Sequence, residues 1–313
     1  RRRDLSVPAD RIVVTASTSE AYSLLFKLLC DVGDSVLVPQ PSYPLFEHLT
    51  RLDAVEVIPY ELEYHGSWQI NLESLVRGVT ERTQAVLVVS PNNPTGSVAS
   101  AQELSDIGEL CGRNGIALIG DEVFADYPLD AERLSGPSVL TRPGTLTFGL
   151  GGLSKTVGLP QVKLGWIGVA GPTELVRQAL ERLEMIGDTY LSVSTPVQLA
   201  ASRLLADGAV IREQISARIR TNLGHLRALA PLHPLCTLLN ADAGWYAVIQ
   251  VPATIGEEAI VLELLERDGV LVHPGYFFDF PREAFLVLSL LPKPDEFREG
   301  VARLFSRVDE GTK

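Results

Sequence analysis

Short apolar runs rich in β-branched residues alternate with stretches of helical periodicity along the first half of the chain. Residues 11–15, 35–39, 55–59, 85–90, 116–120, 145–149 and 164–170 carry the first pattern. Residues 19–30, 43–52, 71–79 and 100–114 carry the second. Near-continuous apolar strands separated by helices predict a mostly parallel sheet covered on both faces, an α/β architecture. After Pro172 the pattern changes. Residues 173–185, 194–206 and 209–230 predict helices with little strand between them. Strands at 245–250 and 285–290 then bracket a helix at 257–268, and a helix over 295–308 closes the chain. A large domain over 1–210 and a smaller α+β domain over 211–313 follow, with the boundary inside the long helical stretch. There is no internal repeat and no low-complexity segment.

Composition narrows the function classes. A chain of 313 residues with 46% hydrophobic positions can bury an ordinary core and demands no stabilising metal or disulfide. The formal net charge of −12 argues against nucleic acid, whose binding draws on clustered Lys and Arg. The one basic cluster, Arg1-Arg2-Arg3, reads as a solvated segment end. Cys30, Cys111 and Cys236 are odd in number, far apart and set in apolar stretches, so buried free thiols in a reducing, cytoplasmic compartment are expected. No apolar run approaches the roughly 18 residues of a membrane span, and no signal peptide opens the chain. Charged residues lead straight into a strand pattern, and a segment preceding Arg1 is expected.

Five groups suited to cofactor chemistry fall at the C-terminal ends of predicted strands, where open α/β sheets bind ligands. The turn Gly151-Gly152-Leu153-Ser154-Lys155 offers an amine flanked by small residues, able to form an imine with an aldehyde. By itself such a turn reads as a surface loop. Asp121, ending the strand at 116–120, could hold a pyridinium nitrogen protonated, or could merely cap a turn. Ser90-Pro91-Asn92-Asn93-Pro94-Thr95-Gly96 is a turn by composition, with one asparagine more than a turn needs. Ser17, Thr18 and Ser19 open a helix, a position for an anion as well as for plain N-capping by Ser17 or Ser19. Tyr43, in Pro41-Ser42-Tyr43-Pro44, could stack on a planar ring or pack beside its prolines.

Each signal is modest alone, but their order is not. The ordered set TASTSEA, PSYP, SPNNPTG, DEVF and GLSKTVGLPQVKLGW resembles the class I/II aminotransferases, pyridoxal-phosphate enzymes of fold type I. The likeness covers nearly the whole chain. It implies pyridoxal 5'-phosphate (PLP) as cofactor and Lys155 as the Schiff-base lysine and proton shuttle. It further implies that Asp121 pairs with the ring nitrogen, Asn93 donates to the ring's phenolic oxygen and Tyr43 stacks on the ring. Ser17, Thr18 and Ser19 would hold the phosphate, helped by Lys163. A homodimer, an amino acid or amine as donor and a 2-oxo acid as acceptor also follow from the resemblance, as does an N-terminal arm, expected to lie before Arg1. His273-Pro274-Gly275-Tyr276-Phe277-Phe278 resembles the family's loop near the substrate.

Four departures stand out, and the most telling one lies toward the substrate. Phe124 stands where the family usually has tyrosine, Gly152 where it has serine, and Lys163 where it has a phosphate-binding arginine. Val287 stands where an arginine usually grips the substrate carboxylate. The expected activity is amino-group transfer. A PLP-dependent lyase, decarboxylase or cyclase of the same fold is the alternative. A regulator using this fold as an effector sensor is a second alternative, and it would need a DNA-binding domain that these residues do not contain.

Overall fold

The computed structural model describes residues 5–130, 136–141, 144–191, 193–254 and 256–311; the Arg1-Arg2-Arg3 cluster lies outside them. The first half runs β1 (Ile12–Thr15), α1 (Thr18–Leu29), β2 (Ser35–Gln40), α2 (Leu45–Leu52), β3 (Glu56–Tyr64), β4 (Trp68–Ile70), α3 (Leu72–Gly78), β5 (Thr83–Val89), α4 (Ala101–Asn114), β6 (Ala117–Asp121), β7 (Thr147–Gly152), α5 (Leu153–Thr156) and β8 (Gly165–Ala170). Helices α6 (Thr173–Tyr190), α7 (Thr195–Asp207) and α8 (Ala209–Leu229) follow. The chain ends through β9 (Thr237–Leu238), β10 (Tyr246–Gln250), α9 (Glu257–Asp268), β11 (His273–Pro274), β12 (Phe285–Ser289) and α10 (Pro294–Gly311).

The eight-stranded sheet has the order β1-β8-β7-β6-β5-β2-β3-β4. Strands β7, β6, β5, β2 and β3 are parallel neighbours. Strand β8 is antiparallel to both β7 and β1, so β1 runs the same way as β7. The C-terminal ends of β1, β2, β5, β6 and β7 therefore share one edge of the sheet. The alternation of side chains across each strand sorts the core into two layers. Val36, Val38, Leu87 and Ile119 pack under α1 and α6, while Leu37, Val86, Val88 and Leu118 pack under α3 and α4. Leu25, Leu37 and Leu118 are fully buried. Cutting any of them to alanine costs about 2–5 kcal/mol.

Strand β3 runs five residues past the run expected at 55–59, straight through Pro59. Proline lacks a ladder donor and so reads as a strand end. Here β4 reaches β3 only from Leu62 onward, so the missing N–H at Pro59 costs no bond on that side. The four-stranded sheet, β11-β12-β10-β9, is antiparallel throughout. Ala247, Ile249, Leu286 and Leu288 face the helical layer that includes residues of α8, α9 and α10. Val248, Phe285 and Val287 face the other way, onto Phe278 and Phe280 and toward Tyr64 and Trp68 of the β3–β4 hairpin.

Candidate active site

Ser17, of the three hydroxyl residues, is the N-cap of α1. Its Oγ accepts from the Glu20 N–H at 3.1 Å, and Glu20 Oε2 accepts from the Ala16 N–H at 2.5 Å. Thr18 and Ser19 occupy the first helical positions, where backbone donors are unpaired and the dipole favours an anion. The start of β8 presses against this turn. A Cβ at Gly165 would lie 2.9 Å from Thr15 Oγ1 and 3.0 Å from the Ser17 carbonyl carbon. Lys163, two residues earlier, is exposed and left-handed with φ 59°.

Asp121 ends β6 and is almost wholly buried. Its Oδ2 accepts from the Tyr22 hydroxyl at 2.7 Å, and its Oδ1 accepts from the Val123 N–H at 3.1 Å. Burial pushes its pKa up, opposed by Tyr22, by the Val123 N–H and by Lys155. Burial, then Asp121, also pushes the Tyr22 hydroxyl up.

Lys155 sits on the short α5, just after β7. The sequence has five lysines, and among the described residues Lys27, Lys163 and Lys293 are exposed while Lys155 is half-buried. Its Nζ lies 5.1 Å from the Trp245 ring centroid and 5.6 Å from that of Phe124. Burial pulls its pKa down, opposed by Asp121. Its carbonyl accepts from the Tyr127 hydroxyl at 2.5 Å. Gly152 lies close to β8: a Cβ there would lie 3.2 Å from the Leu164 carbonyl oxygen and 3.3 Å from the Gly165 Cα, so β8 would have to give by a few tenths of an ångström.

Asn93 is buried, and its Oδ1 has no hydrogen-bond partner. Its neighbour Asn92 makes the turn instead. Asn92 Nδ2 donates to the Pro41 carbonyl at 3.1 Å and to Thr95 Oγ1 at 2.9 Å, and its Oδ1 accepts from Ser42 Oγ at 3.0 Å. These bonds tie the Tyr43 loop to the Asn93 turn. The Ser42 N–H also donates to the Phe278 carbonyl at 3.0 Å, linking that loop to the 275–278 turn. Tyr43 is 43% exposed and meets Phe46 edge-on. Phe124 is buried, edge-on to Trp245 and Tyr246. Val287 is fully buried among Val248, Phe278 and Phe285. Arg282 is exposed, its guanidinium 5.8 Å from the Phe285 ring centroid.

Tyr22, Asn92, Trp245 and Glu257 escape the sequence pattern. Tyr22 looks like one more apolar-face residue of α1, and Trp245 like a core aromatic. Tyr22 meets Asp121 and Trp245 meets Lys155 only when distant segments come together. Glu257 had a weak signal, an acid in a helix's first turn.

The buried Asn93 carboxamide, a half-buried amine, a buried carboxylate and a helix N-terminus with unpaired N–H groups share one sheet edge. Such a set suits a planar aldehyde bearing a ring nitrogen, a phenolic oxygen and a phosphate. Fold and site define the class of a PLP-dependent, fold type I enzyme. Residues 3–304 match the aminotransferase class I and II family, and the chain belongs to it. It is 27% identical over 308 residues to the alanine aminotransferase of Mycobacterium tuberculosis, covering 94% of this chain and 70% of the relative. It is 26% identical over 315 residues to the glutamate-pyruvate aminotransferase AlaA of Escherichia coli, covering 99% and 77%. Its fold matches that of the alanine aminotransferase from Pyrococcus furiosus with TM-score 0.89, at 24% identity over 99% of this chain and 79% of the other. The chain is a PLP-dependent enzyme that moves an amino group from an amino acid to a 2-oxo acid, and the lyase, decarboxylase and cyclase readings fall behind. None of the described helices is long and apolar enough to cross a membrane.

Proposed function

We propose that Lys155 is the cofactor-bearing lysine and the proton shuttle of this aminotransferase. The observation that carries the assignment is its amine: half-buried, held in the depressed-pKa state that a nucleophilic amine needs, and influenced by the buried Asp121. Bound PLP supplies an electron sink for the substrate's α-carbon electrons. Around it, Asp121 would hold the ring nitrogen's proton, and Asn93 would donate through Nδ2 to the phenolic oxygen. Tyr43 covers the ring. Ser17, Thr18 and Ser19 take the phosphate, with Lys163 adding charge. Phe124 lines the site without donating. Lys155 Nζ would hold and move the proton at the substrate's α-carbon.

The amino donor is gripped in a way unlike an arginine-forked carboxylate. Val287 has no donor, and its position is packed with apolar side chains. Two lost charge-assisted bonds are worth roughly a hundredfold or more in binding. Alanine and aspartate are therefore expected to be poor donors, although relatives carry alanine and glutamate-pyruvate in their names. Steady-state kinetics with a panel of amino acids, on wild type and Arg282→Ala, tests this. High kcat/KM for alanine or aspartate in both proteins would overturn it.

A cytoplasmic homodimer completes the proposal. Exposed Met185, Leu191 and Leu199 on and beside α6 and α7 support a self-associating face. Sedimentation at micromolar concentration should give twice the chain mass, and a monomer would refute it. The apolar layer that the C-terminal sheet shares with α8, α9 and α10 supports the division at 210/211, near the start of α8. Limited proteolysis should cut between residues 205 and 215.

A further inference from the structure

Tyr22 stands on α1, four residues after Thr18, so one helical turn separates it from the bare N–H groups that open the helix. It is 3% exposed, yet its hydroxyl is committed to Asp121 Oδ2 at 2.7 Å, across 99 residues of sequence. Phe46 meets its ring edge-on at 5.2 Å between centroids, and Phe46 also touches Tyr43. The Val123 N–H fixes the other carboxylate oxygen. Each oxygen of Asp121 thus has one protein donor, and its remaining lone pairs are available to a ligand.

We infer that Tyr22 is a positioning residue: from the helix that presents the phosphate-binding N-terminus, its phenol orients Asp121 toward the cofactor's ring nitrogen and keeps it charged. The inference rests on the roles proposed above for Asp121 and for the opening of α1. One helix then sets both ends of the cofactor site, the anion end through its backbone and the nitrogen end through Tyr22. A buried carboxylate deprived of a donor reverts toward its neutral acid, which cannot balance a pyridinium. The groups acting on Asp121 are Tyr22 from α1, Lys155 from α5 and the Val123 N–H. Removing the phenol leaves only the last two to oppose burial.

The test compares wild type with Tyr22→Phe by equilibrium dialysis against PLP and against its analogue with CH in place of the ring nitrogen. Tyr22→Phe should bind PLP roughly tenfold to a hundredfold more weakly, the range for one hydrogen bond to a charged group. The deficit should deepen as pH falls, because the carboxylate is charged only above its raised pKa. The analogue, with no nitrogen for Asp121 to meet, should bind both proteins alike. In an Asp121→Asn background the Tyr22→Phe change should add nothing. The melting temperature of the cofactor-free protein is read alongside, and an altered scaffold would show as equal losses for both ligands. Equal losses, or no loss for PLP, would overturn the role of Tyr22 while leaving the enzyme assignment standing. Wild-type protein that bound neither ligand would instead sink the proposed site itself.

Discussion

Replacing Glu257 with alanine is expected to loosen the loop over 275–285. Glu257 is 1% exposed at the start of α9, and its carboxylate clasps both ends of that loop. Oε1 accepts from the Phe285 N–H at 2.5 Å, and Oε2 accepts from the Tyr276 N–H at 3.0 Å. Phe285 is buried, so its orphaned N–H costs about 1–3 kcal/mol. Tyr276 is 46% exposed, so water relieves part of its loss. The total is about 2–4 kcal/mol. Unfolding entropy scaled to 313 residues gives about 1.5 °C per kcal/mol, hence a fall of about 3–6 °C in Tm. Gly275→Ala should act similarly, since a Cβ there would lie 2.9 Å from Glu257 Oε1 and from Phe285 Cβ. Calorimetry on both variants reads the shift. Because the Phe278 carbonyl in this loop holds the Ser42 N–H beside Tyr43, the KM for the amino donor should also rise more than kcat falls. A Tm for Glu257→Ala within about 1 °C of wild type would refute the clasp.

Three further outcomes are expected. In the cofactor-free protein, Lys155 should react with small aldehydes with a pH midpoint below the roughly 10.4 of an ordinary lysine, because burial pulls its pKa down and the free amine exists above that pKa; a midpoint at or above it would contradict the burial argument. Phe124→Tyr should lower the pH at which the lysine–PLP imine loses its proton, since a phenol can donate to the ring oxygen and Phe124 cannot; a spectral titration with an unmoved or raised midpoint counts against that geometry. Cys30, Cys111 and Cys236 each have a thiol pushed up to about 12, by burial first, so the folded protein should label slowly with thiol reagents at pH 8 and quickly once unfolded; fast labelling of the folded protein would be the contrary result.

Much of the fold was legible because strand and helix periods alternate cleanly from β1 to β8. What escaped had physical reasons. The β3–β4 hairpin hid behind Pro59, whose missing donor matters only if a strand lies opposite. Strands β9 and β11 are two residues each, too short for a period to show. Cys30, expected buried, is half-buried at the end of α1. Asp121, Lys155 and Asn93 could be singled out because strand ends and turn chemistry mark them locally. Tyr22 and Trp245 carry no such mark, since their partners are far off in sequence. Asn92 and Asn93 look alike as letters. Only the Pro41, Ser42 and Thr95 bonds make Asn92 the scaffold and leave Asn93 Oδ1 without a partner.

The assignment of Lys155 is most directly tested by borohydride reduction of the PLP-loaded protein, followed by peptide mapping of the pyridoxyl group. Five lysines are available in the sequence. The visible absorption band should disappear on reduction, the label should fall on Lys155 alone, and Lys155→Ala should fold normally and take up no label. A reduced adduct on Lys163 or any other lysine, with Lys155 unmodified, would contradict the assignment.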